Sequence, residues 1–383
     1  MTNRLPLAPV ETDDPALREL YDGFARCAGS TTPPTIARLL GMRPDIGAGV
    51  LAVTRRLIDQ SKLPPSVVQL VAVAVSQQSG CRYCAVTHGR ALQAMGVPDE
   101  VIQGTGGELD SLAVPPLHRE ILRFAVLAAA DPNGVDDEHI LRLSSHGLQE
   151  EEQMELMLLV ALMRFMNTVA DACALPLDPQ SPESWPPPPP PPQPATPPQP
   201  RTEARFPLVT EAPAGSPLAT LYQRITAVGF GADVPINWFT SMGAYPDVLE
   251  AVWRLVDSVL AQGQLSASVK QMIALTVSRH NNCRYCAVIH TSALEATGAT
   301  PEVVSSCAGD PALASVPEPH RSMVLFAIKA AGDARSITDE DFARLRDLGL
   351  SDEELLEIVA MAAFTNFINA WADIAGIPLD GSA

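Results

Sequence analysis

Apolar residues recur at three- and four-residue spacings along most of this chain, the period that brings side chains to one face of an α-helix. The two clearest runs, residues 148–175 and 350–377, are too long for β-strands. The second run begins near Ser351 and Glu354, which have the spacing of a capping box. Gln149, at the equivalent place in the first run, is a weaker cap. No clear strand pair interrupts the pattern, so the sequence predicts an all-α fold.

The chain repeats itself at an offset of 202 residues. Aligning residues 66–95 with residues 268–297 gives 16 identities in 30 positions, concentrated on one cysteine-containing motif. A repeating unit of this length is a complete domain rather than a module of a solenoid. The sequence therefore predicts two tandem copies of one helical domain.

A proline-rich stretch separates the two copies. Residues 186–192 are all proline, and further prolines follow up to residue 200. Because proline lacks a backbone N–H and has a fixed φ, such a stretch favours an extended polyproline II spacer. We therefore expect a helical domain at 1–178, a linker at 179–205 and a second helical domain at 206–383.

One segment leaves the type of element open. Residues 67–75 are rich in β-branched side chains and could form a buried strand. The equivalent residues of the second copy include Met272, Ala274 and Leu275, which favour a helix. We expect a long buried helix here, or two helices broken just before the first cysteine of the motif.

Charge and composition narrow the classes of function. The chain has 26 basic and 44 acidic residues and a net charge of −18, which repels a polyanion, so we expect no nucleic-acid partner. The N-terminal residues show no apolar run behind a basic stretch, and we expect a cytoplasmic protein. Strongly apolar windows such as residues 67–75 are far shorter than the roughly 20 residues of a membrane span, so we expect no membrane partner.

The cysteines point to redox chemistry or to metal binding. Seven cysteines are an odd number, and in a reducing compartment they do not indicate a disulfide framework. Two close pairs have the CxxC spacing, Cys81 with Cys84 and Cys283 with Cys286. The remaining cysteines are expected to be buried apolar residues: Cys27, Cys173 and Cys307.

A histidine follows each pair at helical spacing. Cys81, Cys84 and His88 lie at positions i, i+3 and i+7, which share one face of a helix, and Cys283, Cys286 and His290 repeat that spacing. A cysteine at a helix start is favoured as the reactive thiolate. Two such sulfurs can cycle between dithiol and disulfide, and the imidazole can accept or return a proton. Two thiolates and one imidazole are only three ligands per copy, so we expect no metal.

This motif resembles that of the AhpD-like, carboxymuconolactone decarboxylase superfamily, in particular its peroxidase-related members. The shared pattern is a polar residue twelve positions before the first cysteine, then CxxC, then a histidine four residues after the second cysteine. In this chain the pattern is Gln69, Cys81, Cys84 and His88, and again Gln271, Cys283, Cys286 and His290. The resemblance implies a compact helical domain with central thiols, assembly into homo-oligomers, and a thiol-dependent peroxidase or disulfide reductase.

The resemblance also implies roles and partners. The second cysteine of each pair, Cys84 or Cys286, would attack a small hydroperoxide or disulfide substrate. The first, Cys81 or Cys283, would resolve the sulfenic acid to a disulfide. His88 and His290 would be the proton shuttles. No metal or organic cofactor is implied, but an external thiol reductant must regenerate the dithiol.

The chain departs from the family pattern at one position. Peroxidase-active members have a glutamate where Gln69 and Gln271 stand, and glutamine cannot ionise. These glutamines, with Tyr83 and Tyr285 between the cysteines, are expected to relay protons or to position substrate, although a phenol is a poor proton carrier at neutral pH.

Two alternative functions stay open. A lactone enzyme of the carboxymuconolactone decarboxylase type would not need two vicinal thiols. A non-catalytic binding or scaffold protein would keep the CxxC as a residual feature, and the missing glutamate favours it.

Overall fold

The computed structural model of the chain describes residues 3–107, 109–178, 196–197, 201–231, 233–310 and 312–381. Across these residues the regular elements are helices, apart from an isolated bridge between Gly231 and Pro235. The predicted all-α fold is confirmed. Most of the predicted linker at 179–205, including the proline run at 186–192, lies outside the described residues.

The helices of both halves follow one another with short connections. Those of the first half are α1 (Pro15–Cys27), α2 (Thr35–Leu40), α3 (Pro44–Thr54), α4 (Pro65–Ser79), α5 (Arg82–Ala94), α6 (Asp99–Gly104), α7 (Pro116–Ala130), α8 (Asp137–Ser145) and α9 (Glu150–Ala172). Those of the second half are α10 (Pro217–Ala227), α11 (Asn237–Thr240), α12 (Pro246–Val256), α13 (Ala267–His280), α14 (Arg284–Ala296), α15 (Pro301–Gly309), α16 (His320–Gly332), α17 (Asp339–Asp347) and α18 (Asp352–Ile374). Short π or 3-10 turns complete the described elements: Arg55–Asp59, Leu109–Ser111, Pro132–Gly134, Asp257–Ala261 and Ala334–Ser336.

The segment that could have been a strand is helical, and it ends just before the first cysteine. Gly80 closes α4 in the left-handed conformation, with φ of 79°, which glycine adopts without steric cost. In the second copy Asn282 takes the same conformation, with φ of 57°. The two-helix alternative is therefore the correct one, and the break turns the chain so that α5 and α14 each begin directly after a cysteine.

Helix α18 begins with the predicted capping box. Ser351 Oγ accepts the backbone N–H of Glu354 at 3.2 Å, and Glu354 Oε2 accepts the backbone N–H of Ser351 at 2.8 Å. In α9 the carboxylate of Glu152 accepts the backbone N–H of Gln149 at 2.8 Å. These contacts satisfy N–H groups that the first helical turn leaves without an intrahelical acceptor.

The two halves pack against each other through α9 with α18 and through α3 with α12. Arg4 pairs with Asp339 of the opposite half at 3.1 Å, and Arg205 pairs in the same way with Asp137 at 2.9 Å. Because the same contact is made in both directions, the halves are related by an approximate two-fold axis.

Helices α9 and α18 form the centre of the molecule. Each is 23 residues long and apolar enough to span a membrane by length and composition, which differs from the expectation that every apolar window is too short. The share of the apolar window that is buried inside the protein is 94% in α9 and 100% in α18. Their hydrophobic character is therefore accounted for by the core that they share.

Candidate functional site

The two cysteines of each motif lie together where the second motif helix begins. Cys81 is the residue immediately before α5, Cys84 lies in the first turn, and the two sulfurs are close enough for Cys84 to raise the pKa of Cys81. Cys283 and Cys286 are arranged in the same way at α14. All four are buried free thiols. The structure thus brings both predicted pairs together in the dithiol form.

The predicted histidines and glutamines also meet. His88 Nδ1 lies 2.7 Å from Gln69 Oε1, and His290 Nδ1 lies 2.8 Å from Gln271 Oε1. With the amide oxygen as acceptor, Nδ1 carries the proton and Nε2 keeps its lone pair. Each glutamine therefore orients an imidazole as a proton acceptor without adding charge.

Burial controls the charge of these histidines. It lowers the pKa of His88 and of His290 to about 4, because the charged imidazolium loses its hydration. Both rings are therefore neutral at physiological pH. A glutamate at the glutamine position would have offset this effect.

Each second cysteine opens on a small apolar pocket. In the first half Cys84 and His88 line a pocket of about 40 Å³. In the second half Cys286 and His290 line one of about 30 Å³. The two pockets differ in their walls: the first includes Cys27, Met163 and Met166, and the second includes Phe239, Phe364 and Ile368.

The first cysteine of each pair does not behave as its place at a helix start predicts. Burial raises the pKa of Cys81 and of Cys283 well above its ordinary value, and the neighbouring sulfur and a nearby aspartate raise it further. The backbone N–H of the second cysteine offsets only part of this rise. These two residues are held as neutral thiols, because desolvation outweighs the helix terminus.

The tyrosines between the cysteines are part of the scaffold. The hydroxyl of Tyr285 donates to Asp380 Oδ2 at 2.7 Å and accepts the backbone N–H of Trp238 at 3.2 Å. Tyr83 makes the equivalent contacts with Asp178, at 3.3 Å, and with the N–H of Ile36, at 3.1 Å. Burial raises the pKa of both phenols. Tyr83 and Tyr285 line the pockets, so these contacts favour positioning over proton relay.

Two aspartates that the sequence analysis did not single out complete the surroundings of the thiols. Asp171 of α9 raises the pKa of Cys81, and Asp373 of α18 raises that of Cys283, while the Cys283 thiol donates to the backbone carbonyl of Asn369 at 4.0 Å. Their recurrence at the offset of 202 residues is the signal that could have identified them. Within the described residues, no group of three or more His, Cys, Asp or Glu side chains could hold a metal ion.

A family model described as the carboxymuconolactone decarboxylase family matches residues 44–113 and residues 246–316. Among curated proteins, none matches the chain. Both matched segments contain one complete CxxC motif with its glutamine and histidine.

Several solved structures are similar to one half of the chain. One is the alkylhydroperoxidase AhpD core, a peroxidase-related protein from Ralstonia eutropha JMP134, with 28% identity, 45% of this chain and 94% of that chain covered, and a TM-score of 0.40. A peroxidase-related protein from Silicibacter sp. TM1040 has 24% identity, coverage of 48% and 95%, and a TM-score of 0.41. The debrominase Bmp8, in complex with 2,3,4-tribromopyrrole, has 21% identity, coverage of 47% and 93%, and a TM-score of 0.41.

Proposed function

Because the chain contains two domains of the carboxymuconolactone decarboxylase family, one in each half, we propose that it is a thiol-dependent oxidoreductase with two CxxC sites. Its substrate would be a small hydroperoxide or disulfide, and an external thiol would regenerate each dithiol. The observation that carries this proposal occurs twice: paired thiols whose second sulfur shares an apolar pocket with a neutral, oriented imidazole.

The proposed oxidation begins at the second cysteine. Cys84 gives its proton to Nε2 of His88, while Gln69 holds the opposite ring nitrogen. The sulfur attacks one peroxide oxygen, the O–O bond breaks, and the alkoxide takes the proton from the imidazolium to leave as an alcohol. Cys84 is then a sulfenic acid, which Cys81 attacks to form the disulfide and release water.

Pocket size favours small substrates. A cavity needs roughly 10–15 Å³ to hold one water molecule, so pockets of about 40 and 30 Å³ accept only a few non-hydrogen atoms. Hydrogen peroxide or a short alkyl hydroperoxide fits this limit. A carboxylated lactone is larger than either pocket, and nothing about the pocket walls favours that alternative.

Thiol counting tests the proposal. One equivalent of hydroperoxide per site should oxidise two dithiols in the intact chain, one dithiol in Cys84→Ser or Cys286→Ser, and none in the double variant. Cys173→Ser is the matched control, because Cys173 is a buried thiol outside both pairs, and it should behave like the intact chain. An unchanged thiol count in the intact chain, with hydroperoxides and with disulfides, would refute the proposal and favour a scaffold role.

A further inference from the structure

A buried aspartate lies near the first cysteine of each dithiol. Asp171 and Cys81 influence each other's pKa, and Asp373 and Cys283 do the same, so each carboxyl lies close to the first sulfur of its pair. Both aspartates come from the last helix of their own half, about 90 residues away from the cysteine in sequence. The contact is made in both copies, so it is a property of the repeated domain rather than an accident of one half.

These aspartates connect the first sulfur to polar cavities. Asp171 lines a cavity of about 660 Å³ between the two halves, with walls from both α9 and α16. Asp373 lines a second cavity of about 360 Å³, beside the turn Pro132–Gly134 of the first half. Neither cavity is lined by a cysteine. Each dithiol thus has an apolar side at its second sulfur and a polar side behind its first.

The charges around each aspartate come mainly from the opposite half. Arg335 and Asp333 face Asp171, with Arg4 on its own side; the arginines lower its pKa and Asp333 raises it. Arg164 and Asp131 of the first half face Asp373 with the same opposing effects.

Burial outweighs these charges. It raises the pKa of Asp171 to about 7 and that of Asp373 to about 8, so each carboxyl exchanges its proton near neutral pH. The neighbouring cysteine thiol lowers the pKa of each carboxyl and does not cancel the rise.

Resting on the function proposed above, we infer that Asp171 and Asp373 are acid–base residues for Cys81 and Cys283. Each takes the thiol proton when the disulfide forms and returns it when the disulfide is reduced. His88 and His290 line the pockets of the second sulfurs, and the first sulfurs line neither pocket.

The reductive step shows what the carboxyl contributes. A thiolate of the reductant attacks Cys84 Sγ, a new S–S bond forms, the Cys81–Cys84 bond breaks, and the electron pair leaves on Cys81 Sγ. This sulfur is fully buried, so a thiolate there is unfavourable. The proton of Asp171 passes to it, and the carboxylate regains a proton from solvent in the cavity. A second reductant thiol then attacks the reductant sulfur of the mixed disulfide and frees Cys84.

Single-site proteins provide the test. Replacing Cys283 and Cys286 by serine leaves only the first pair. In that background Asp171→Asn removes the carboxyl beside the remaining pair, and Asp373→Asn is the matched control beside the emptied site. The disulfide is formed with diamide, and its reduction by dithiothreitol is followed by counting free thiols between pH 5 and 9.

We expect Asp171→Asn to slow reduction at pH 7 by about tenfold or more, the contribution of a general acid, and Asp373→Asn to change it by less than about twofold. In the parent single-site protein, the rate per unit of dithiothreitol thiolate should fall as the pH rises through about 7, where Asp171 loses its proton. In Asp171→Asn that dependence should disappear. A purely structural aspartate would change the rate without removing the pH dependence.

Equal rates and equal pH profiles in the two asparagine variants would overturn the inference. If Asp171→Asn does not fold, the profile of the parent single-site protein decides, and a flat profile overturns the inference. The test is independent of peroxide turnover, because diamide and dithiothreitol replace both substrates. If hydroperoxides do not oxidise the dithiols of the intact chain, the proposed peroxidase activity is refuted, but the role of the aspartates is still decided by this test.

Discussion

Replacing Gln69 by glutamate should turn a neutral histidine into a titrating one. The amide oxygen of Gln69 lies 2.7 Å from His88 Nδ1, so the new carboxylate would stand in hydrogen-bond contact with the ring. In the native site burial lowers the pKa of His88 to about 4, since no charge compensates the lost hydration of the imidazolium. The substitution is nearly isosteric and adds that charge.

The size of the effect follows from Coulomb's law. Two unit charges about 4 Å apart at an effective dielectric constant of about 20 attract by about 4 kcal/mol, which corresponds to about 3 pKa units. Desolvation of the new carboxylate removes part of this gain. We therefore expect the pKa of His88 to rise by about 2 to 3 units, to about 6 or 7.

A nuclear magnetic resonance titration of the histidine ring protons measures this shift. His290 is the internal control, because its partner Gln271 is unchanged and its pKa should stay near 4. Peroxide oxidation of the first dithiol should also lose rate below about pH 6 to 7 in the variant, since a protonated imidazole cannot accept the cysteine proton. If both histidines titrate together near pH 4 in the variant, the assignment of Gln69 as the neutral partner of His88 is wrong.

Three further outcomes follow from the buried groups. Glu357→Gln removes the buried carboxylate that pairs with Lys270 at 2.8 Å and with Arg43 at 2.7 Å, and it leaves Arg43 with its second partner, Asp45. Urea unfolding should show a loss of about 3 to 5 kcal/mol, mainly from the buried Lys270 cation; less than about 1 kcal/mol would contradict the ion pairs. Tyr285→Phe removes two hydrogen bonds and should lower the free energy of unfolding by about 1 to 3 kcal/mol. The rate of peroxide oxidation at the second site should stay close to that of the parent, and a large loss of rate would assign the phenol to proton relay. The pKa of His88 is lower in the folded than in the unfolded protein, so its contribution to the free energy of unfolding is present above about pH 6.5 and is lost as the pH falls towards 4. The difference in unfolding free energy between the parent and His88→Gln should change by about 1.4 kcal/mol per pH unit in that window and stay constant above it.

The sequence predicts those features that depend on local spacing. The helical period, the capping box at Ser351, and the helix break before Cys81 are properties of short segments, and the structure agrees with them. The contact between Gln69 and His88 also follows from local structure, because α4 and α5 fold back on each other after a tight turn. Spacing alone therefore locates the dithiol and its imidazole.

Features that depend on burial and on long-range packing could not be predicted in this way. The position of Cys81 at a helix start suggested a lowered pKa, but full burial raises the pKa of this thiol and Asp171 raises it further. Asp171 itself lies in the last turn of α9 and belongs to no local motif. Only the packing of α9 against the motif brings it to the sulfur.

Equivalent positions of the two halves make different contacts across the interface between them. Arg43 reaches Glu357 of the opposite half, whereas the residue equivalent to Arg43 in the second copy is Tyr245, which contacts Glu150 at 3.2 Å. Two identical subunits around a true symmetry axis would have to carry the same side chain at both places. In a single polypeptide each half is encoded separately, so one reaction centre can acquire a new preference while its twin keeps the old one.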